Sequence, residues 1–292
     1  MKQSEIENRN FNTISPSAKW ILLMKGHTNI PFAKRTAELI EYPEKFNADF
    51  ENNNLSFWAR ILHFESRYWS IDQLLADLSI RNILELSSGF SFRGLDFVQR
   101  KEVYYIDTDL PDMIERKKEF VTALHTGDSD MKGKLELIPL NALDYNKFNE
   151  IINHFPPGEI VIVNEGLLVY LNTEEKEKLC GIIRKILKER GGYWITADIY
   201  IKFKNRNIDR GLDERTKKFL EDQQVEDNKF ESLDAATEFF RKMGFVIDKE
   251  ANIDPSRLSS FPYLIKNAKP EEMRKLKEVG KIHATWRLRL AA

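Results

Sequence analysis

The chain has 292 residues, 42% of them hydrophobic and 31% charged, so it is long enough for one large α/β domain with appendages. Its 45 basic and 46 acidic side chains nearly cancel, which argues against partners bound through bulk charge, such as nucleic acid or an anionic membrane surface. A single cysteine, Cys180, excludes an intramolecular disulfide and a cysteine-cluster metal site. A polar N-terminus and the lack of a long apolar run predict a cytoplasmic protein.

Residues 1–78 are predicted to form a helical cap, and residues 79–292 the main domain. Apolar residues recur at helical spacing in two short segments after Ser17 and again over 55–78. Arg67 lies inside the last of these patterns. Because a buried guanidinium needs an anionic partner, Arg67 is expected either to form a structural salt bridge, with Glu65 or Asp72, or to bind an anionic ligand.

Other basic residues of the predicted helices are expected to be solvated, as lysines on helix surfaces ordinarily are. Lys19 and Lys25 in the cap could reach an anionic ligand, but exposure is the expectation for both, as it is for Lys117 and Lys118 further along the chain. His27, in a predicted loop, has no visible partner in the sequence and is expected to be incidental.

The stretch from Asn82 to Pro111 predicts a buried strand over 83–86, a turn of small residues, a helix, and a second strand over 103–106 that ends in two acids. Such a series is the first unit of a doubly wound α/β sheet, whose ligands bind beyond the carboxyl ends of the strands. The candidate ligand-binding residues of this unit are Glu85, Ser87, Ser88, Gly89, Asp107 and Asp109.

The small turn and the following acids predict a cofactor that contains a nucleoside. Small residues let a ligand approach the backbone, and an acid at the end of the second strand can accept hydrogen bonds from ribose hydroxyls. A dinucleotide fingerprint would need Gly-x-Gly-x-x-Gly, whereas here Gly89 stands alone and the bulky Phe92 and Arg93 precede Gly94. A pyrophosphate is therefore poorly accommodated. S-adenosylmethionine, which has no phosphate, fits better, and Glu85 would support its turn.

Two further strands bring polar residues to the same edge of the sheet. The third predicted strand, 135–140, is followed by a turn whose counterpart borders the adenine of S-adenosylmethionine in class I methyltransferases. The candidates in that turn are Asn141, Ala142 and Asp144, although Asp144 could equally cap the next helix. The fourth is predicted over 159–163, where four apolar residues follow Glu159, and it delivers Glu165 and Gly166 into the crevice where ligands bind.

The remaining pattern completes a seven-stranded sheet. A helix over residues 174–189, with Thr173 as its predicted cap, leads to a fifth strand over 193–197 that ends at Asp198. A charged segment over 200–234 predicts an inserted helical lid. The sixth strand is expected over 245–247, followed by a helix over 269–279, and the period-two segment 285–290 is expected to pair antiparallel with the sixth strand.

Four segments together resemble the signature series of the leucine carboxyl methyltransferase family. They are Ser66–Asp72, Leu86–Gly89, Asp107–Pro111 and Asn164–Leu171, within a resemblance that covers about residues 17–198. The family includes enzymes that methylesterify protein phosphatases and bacterial O-methyltransferases linked to polyketide-type substrates. The resemblance implies a class I methyltransferase Rossmann-like fold, with S-adenosylmethionine as the cofactor.

The same resemblance implies roles for particular residues. Arg67 would grip the methionine carboxylate of the cofactor, Glu165 would contact its methionine portion, and Tyr170 would pack nearby. The N-terminal helices would fold over the pocket. The chain departs from the family pattern at Ser87, which takes the place of the first turn glycine.

The methyl acceptor is expected to be a carboxylate or hydroxyl oxygen of a small molecule or of a protein C-terminus. A carboxylate needs no base, whereas a phenol or alcohol does, and only His27, Tyr170 and Asp198 are conceivable bases; of these, Tyr170 and Asp198 are taken as substrate-side residues. No metal is required. The alternatives are a nicotinamide-dependent oxidoreductase, and a catalytically silent protein that uses the same fold to bind a ligand. The oligomeric state cannot be read from the sequence.

Overall fold

The computed structural model describes residues 15–40, 46, 50, 54–124, 131–202, 218, 220–272, 274 and 280–291. Its centre is one sheet of seven strands. In chain order the strands are β1 (Asn82–Leu86), β2 (Tyr104–Asp109), β3 (Lys134–Pro139), β4 (Ile160–Asn164), β5 (Gly192–Tyr200), β6 (Phe245–Glu250) and β7 (His283–Leu290).

The strands lie in the order β3-β2-β1-β4-β5-β7-β6. The pairs from β3 to β5 are parallel, and β7 lies antiparallel between β5 and β6. The expected class I methyltransferase Rossmann-like fold is thereby confirmed, including the antiparallel pairing of the last strand with the sixth. Because the chain winds from β1 outward to β3 and then returns to β4, the crevice for a ligand opens at the carboxyl ends of β1 and β4.

Helices cover both faces of the sheet and its carboxyl edge. In chain order they are α1 (Ser15–Lys25), α2 (Ala33–Glu38), α3 (Leu55–Ala76), α4 (Arg93–Arg100), α5 (Pro111–Leu124), α6 (Tyr145–Ile152), α7 (Thr173–Arg190), α8 (Leu233–Lys242) and α9 (Phe261–Asn267). Helix α7 begins with a capping box in which Asn172 bonds the N–H of Glu175, so Asn172 is the cap and the prediction of Thr173 was wrong by one residue.

Alternate residues of each central strand supply the two halves of the core. On one face, Ile83, Val161 and Val163 pack with apolar residues of α3 and α4. On the other face, Leu84 and Ile162 pack with residues of α6, α7 and α8. A third cluster joins α1 and α2 to α5 across the carboxyl edge of the sheet. The helices α1 and α2 therefore stand over the crevice.

Some predicted boundaries and segments differ from the structure. Strands β2 and β5 extend further toward their carboxyl ends than expected, so that Asp109 and Asp198 are still part of their strands. Most of the predicted helix over 269–279, and residues 203–217 and 219 of the predicted lid, lie outside the described residues. At the base of the lid, Ile201 forms a β-bridge with Phe230.

Helix α3 of the predicted cap packs against strands β5 and β7 of the main domain. The domain boundary at residue 78 stays a prediction, as does the cytoplasmic location. Among the described helices, none has the length and apolar composition that crossing a membrane requires.

Candidate functional site

A cavity of about 730 Å³ opens at the carboxyl edge of the sheet, between the strand ends and helices α1, α2 and α5. Most of the predicted site residues line it. They are Arg67, Ser87, Ser88, Gly89, Asp109, Asn141, Ala142, Glu165, Gly166 and Tyr170. The sheet order brings them together although they are spread over more than a hundred positions of the chain.

The turn after β1 is closed by its own backbone and by Asp109. Ser87 and Gly89 both have left-handed backbone conformations, with φ of 50° and 48°. The Gly89 N–H donates to Asp109 Oδ2 at 2.7 Å, and the Ser88 N–H donates to the Thr108 carbonyl at 2.9 Å. The other oxygen of Asp109 accepts the Leu110 N–H at 2.7 Å, and burial raises the pKa of this carboxyl. Hydrogen bonds thus join the two predicted ligand-binding places, the turn after β1 and the end of β2.

A buried ion pair lies beneath that turn. Lys117 Nζ is 2.9 Å from Asp107 Oδ2 and donates to Ser88 Oγ at 2.9 Å. Lys117 is 0% exposed, so the expectation that it is solvated was wrong; Lys118 beside it is exposed. Asp107 is buried and does not line the cavity, because its side chain points to the lysine under the sheet edge. Burial raises the pKa of Asp107, and the lysine opposes the shift.

Arg93 is the buried hub of a second charge network. Its guanidinium donates to Asp72 at 2.7 Å, to Glu85 at 2.8 Å and to Glu165 at 3.2 Å, and it lies over the Tyr68 ring. Glu85 is fully buried and also accepts the Tyr105 hydroxyl, so it does not reach the cavity and braces the turn through Arg93. An arginine at a helix start would ordinarily be exposed, but three carboxylates offset the cost of burying this one.

The methionine-side residues predicted by resemblance form a compact charge cluster around Glu165. Lys25 donates to Glu165 Oε1 at 2.6 Å, and Arg67 donates to the same oxygen at 3.0 Å. Burial acts to raise the pKa of Glu165, but the charges of Lys25, Arg67 and Arg93 outweigh it and hold the pKa well below its usual range. The carboxyl is therefore an anion at neutral pH.

One expectation about this cluster was wrong, and one of the two alternatives for Arg67 is not realised. Lys25 is only 6% exposed, and burial lowers its pKa against the attraction of Glu165. Arg67 pairs with neither acid near it in sequence, because Glu65 accepts four hydrogen bonds from Ser259 and Ser260 and Asp72 pairs with Arg93.

Two predicted acids serve the backbone instead of the cavity. Asp198 accepts the N–H groups of Gly166, Leu167 and Leu168 and the side-chain amide of Asn164, so it holds the segment after β4 in place. Asp144 caps α6 by accepting the N–H of Lys147 at 3.1 Å. Neither lines the cavity. Three backbone N–H groups converge on Asp198, and one, at the start of α6, binds Asp144.

The remaining walls are set by local turns and by the cap. Asn141 Oδ1 accepts the Leu143 N–H at 3.0 Å, which fixes the turn after β3. Tyr170 is nearly buried, its hydroxyl is 3.2 Å from Ser17 Oγ of α1, and burial raises its pKa. His27 packs among aromatic rings and is not part of the described lining.

Sequence reasoning missed three buried cations: Lys25, Arg93 and Lys117. One signal could have found Lys117, since Met113 and Ile114 precede it by three or four residues on the same face of α5 and are themselves buried. A charged residue in register with an apolar stripe predicts a buried ion pair. Arg93 and Lys25 offer no comparable local signal, because the partner that they share, Glu165, lies 72 and 140 positions away along the chain.

Comparison with solved structures finds enzymes of low sequence identity. The mitomycin 7-O-methyltransferase aligns with a TM-score of 0.48 at 10% identity, over 80% of this chain and 57% of its own length. The magnesium protoporphyrin IX methyltransferase of Synechocystis PCC 6803 with bound SAH gives a TM-score of 0.46 at 9% identity, over 83% and 90%. The cyclopropane synthase MmaA2 of Mycobacterium tuberculosis gives 0.48 at 16%, over 76% and 83%.

No protein-family model matches this sequence, and no curated protein sequence matches it. The chain spans little more than half of the mitomycin enzyme's length. At such low sequence identity, the reactions of these enzymes do not assign a reaction to this chain.

Proposed function

We propose that this protein is an S-adenosylmethionine-dependent O-methyltransferase whose cofactor lies in the cavity at the carboxyl edge of the sheet. One observation carries the proposal: two N–H groups of the turn after β1, those of Ser88 and Gly89, are already bonded within the protein. Gly89 donates to Asp109 and Ser88 donates to Thr108. A diphosphate needs such N–H groups as its donors, and here it would meet the carboxylate of Asp109 instead.

Asp109 is well placed for a ribose. An ionised carboxylate has about four acceptor positions, of which the N–H groups of Gly89 and Leu110 take two. The remaining positions suit the two ribose hydroxyls, and Asp109 lines the cavity. Asn141 and Ala142, which also line it, would border the adenine.

The charge cluster at the other end of the cavity suits a zwitterion. The methionine portion of the cofactor carries one carboxylate and one ammonium group. Lys25 and Arg67 supply cations, and Glu165 supplies an anion, all within the cavity lining. A nicotinamide dinucleotide has no such zwitterion, so this end also disfavours the oxidoreductase alternative.

When bound, the cofactor supplies a methyl group activated by a sulfonium. The chain's own residues have to orient the acceptor oxygen in line with that methyl group and exclude water, and alignment of this kind is worth on the order of 7–11 kcal/mol. Helix α1 covers the cavity, and its Ser17 is joined to Tyr170 beyond β4. This contact between cap and sheet edge helps to close the site.

The acceptor is proposed to be a carboxylate in preference to a hydroxyl, of a small molecule or a protein C-terminus. Of the conceivable bases, His27 and Asp198 do not line the cavity, and the pKa of Tyr170 is raised by burial. Glu165 is a poor base, since three cations lower its pKa. An acceptor that is already ionised needs none of them. The finer assignment to the leucine carboxyl methyltransferase family rests on the four sequence motifs.

Calorimetry tests the cofactor. We expect S-adenosylmethionine and S-adenosylhomocysteine to bind the folded protein, and NADH not to bind. Binding of NADH without either sulfur ligand would overturn the proposal.

Label transfer tests the reaction. Methyl-labelled cofactor is incubated with metabolite extracts and with peptides that end in a free carboxylate. Alkali releases the label from a methyl ester but not from a methyl ether, so the treatment separates the two acceptor classes. Tight cofactor binding with no label transfer to any species would favour the silent ligand-binding alternative.

A further inference from the structure

We infer that Tyr200 and His63 are positioning residues that hold the Arg67 guanidinium toward the carboxylate of the cofactor. The inference rests on the proposed function and adds two residues that do not themselves touch the cavity. Neither His63 nor Tyr200 belongs to its described lining, whereas Arg67 does. Any effect of the pair on a ligand must therefore pass through Arg67.

Arg67 is held at two of the three nitrogens of its guanidinium. Its Nε donates to Glu165 Oε1 at 3.0 Å, and its Nη1 donates to the Tyr200 hydroxyl at 2.9 Å. Its Nη2 lies beside Gly166, where a Cβ atom would be 3.4 Å away. Gly166 lines the cavity, so Nη2 is the nitrogen of the guanidinium that is directed at a ligand. Two fixed donors on a planar fork determine the direction of the other donors.

The second bond on Arg67 is itself braced. The Tyr200 hydroxyl is 2.7 Å from Nε2 of His63, which lies one helical turn before Arg67 on α3. Because a guanidinium can only donate, the Tyr200 oxygen accepts from Arg67, and its own proton is available for His63. Tyr200 donates this proton in the tautomer of His63 whose Nε2 is unprotonated, and burial together with the nearby His283 lowers the pKa of His63, which favours the neutral ring. Burial also raises the pKa of Tyr200 to about 12, so the phenol keeps its proton.

The hydrogen bond to Tyr200 restricts the rotation of the Arg67 guanidinium. Without Tyr200, Arg67 would keep only the bond from Nε to Glu165, and the guanidinium could rotate about that bond. Groups that bind a ligand productively must be held to within about 0.5 Å, which a single contact on a long side chain does not achieve. The hydrogen-bonded series from His63 through Tyr200 to Arg67 supplies the second contact from two different elements, α3 and β5.

The test separates the carboxylate from the rest of the ligand. S-adenosylhomocysteine carries the amino-acid carboxylate, and 5′-methylthioadenosine lacks the amino-acid portion but keeps the adenosine and the sulfur. Tyr200→Phe removes only the hydroxyl. Tyr104→Phe is the matched control, because its hydroxyl also bonds a side chain, that of Glu136, and neither residue belongs to the described cavity lining.

We expect Tyr200→Phe to weaken S-adenosylhomocysteine binding by about tenfold while 5′-methylthioadenosine binding changes less than twofold, as measured by calorimetry. His63→Leu should show the same selective loss to a smaller extent, and Tyr104→Phe should change neither ligand. Circular dichroism and thermal unfolding confirm that each variant is folded.

Three outcomes would overturn the inference. They are an equal loss for both ligands, which indicates general loosening, no loss for either ligand, and wild-type protein that binds the two ligands with equal affinity. Failure of the wild type to bind S-adenosylhomocysteine at all would instead defeat the proposed function, so the two failures are distinguishable.

Discussion

Replacing Asp109 by alanine tests the link between the turn and the ribose. In the free protein, Asp109 accepts two backbone N–H groups, from Gly89 and Leu110, both at 2.7 Å. Removing the carboxylate leaves both donors to water at the cavity wall. The expected cost to folding is about 1–3 kcal/mol, which a domain of ordinary stability tolerates.

The cost to binding is expected to be larger than that of an ordinary surface change. Loss of a hydrogen bond between a ribose hydroxyl and a charged acceptor is worth about 1.5–3 kcal/mol, or roughly 10- to 150-fold in the dissociation constant. Calorimetric titration of Asp109→Ala with S-adenosylhomocysteine measures this directly, and urea unfolding measures the stability.

Asp144→Ala is the matched control for Asp109→Ala. Asp144 also accepts a backbone N–H, but it caps α6 outside the cavity, so its loss should cost about 0.5–2 kcal/mol of stability and no affinity. An Asp109→Ala dissociation constant within twofold of wild type would refute the reasoning. Asp107 could not take over the role, because it is buried against Lys117.

Three other predictions concern stability, read from urea unfolding. Ser87→Gly should raise the free energy of unfolding by about 0.5–1 kcal/mol, because glycine relieves the left-handed conformation at φ 50°; a decrease would mean that the hydroxyl contributes more than the strain costs. Glu165→Gln should lower it by about 3 kcal/mol, since Lys25 and Arg67 would remain buried beside a neutral group, and a change below 1 kcal/mol would contradict the buried-cluster description. Burial lowers the pKa of His283 from 6.5 to about 4, so the unfolded chain takes up a proton before the folded protein does, and stability should fall as the pH drops from 6.5 to 4, by about 3 kcal/mol from this histidine, with His63 adding a loss of the same sign. His283→Gln should flatten this part of the pH profile, and an unchanged slope would show that the histidine is not the cause.

The sheet could be predicted because its signals are local. An uninterrupted apolar run such as 160–163 is typical of a strand buried in a parallel sheet, and β4 is found at Ile160–Asn164. The turn after β1 could be predicted from its small residues, and Asp109 could be predicted as a site residue from its place after an apolar strand. Helix α9, Phe261–Asn267, was not predicted, because its short segment has no clear periodicity and is anchored by Glu65 from α3.

The charged side chains show where local reasoning ends. Lys25, Arg93 and Lys117 look like ordinary surface residues in sequence, yet all three are buried in the structure. The burial of a charge depends on its partner, and the Lys25 partner, Glu165, lies 140 positions away along the chain. The resemblance to a known family pointed to Glu165 and Arg67 as ligand-binding residues, but not to the cations that surround Glu165.

The sequence by itself determined the order of the strands and helices, the glycine-poor turn, and the acids at the strand ends, because periodicity and turn chemistry act over a few residues. Only the tertiary structure decided which acids face the cavity. Asp109 and Glu165 line the cavity. Asp144 and Asp198 instead accept backbone N–H groups, and Asp107 pairs with the buried Lys117. The physical reason is that a carboxylate binds whichever donors converge on it, and that convergence is created by the packing of elements distant in the chain.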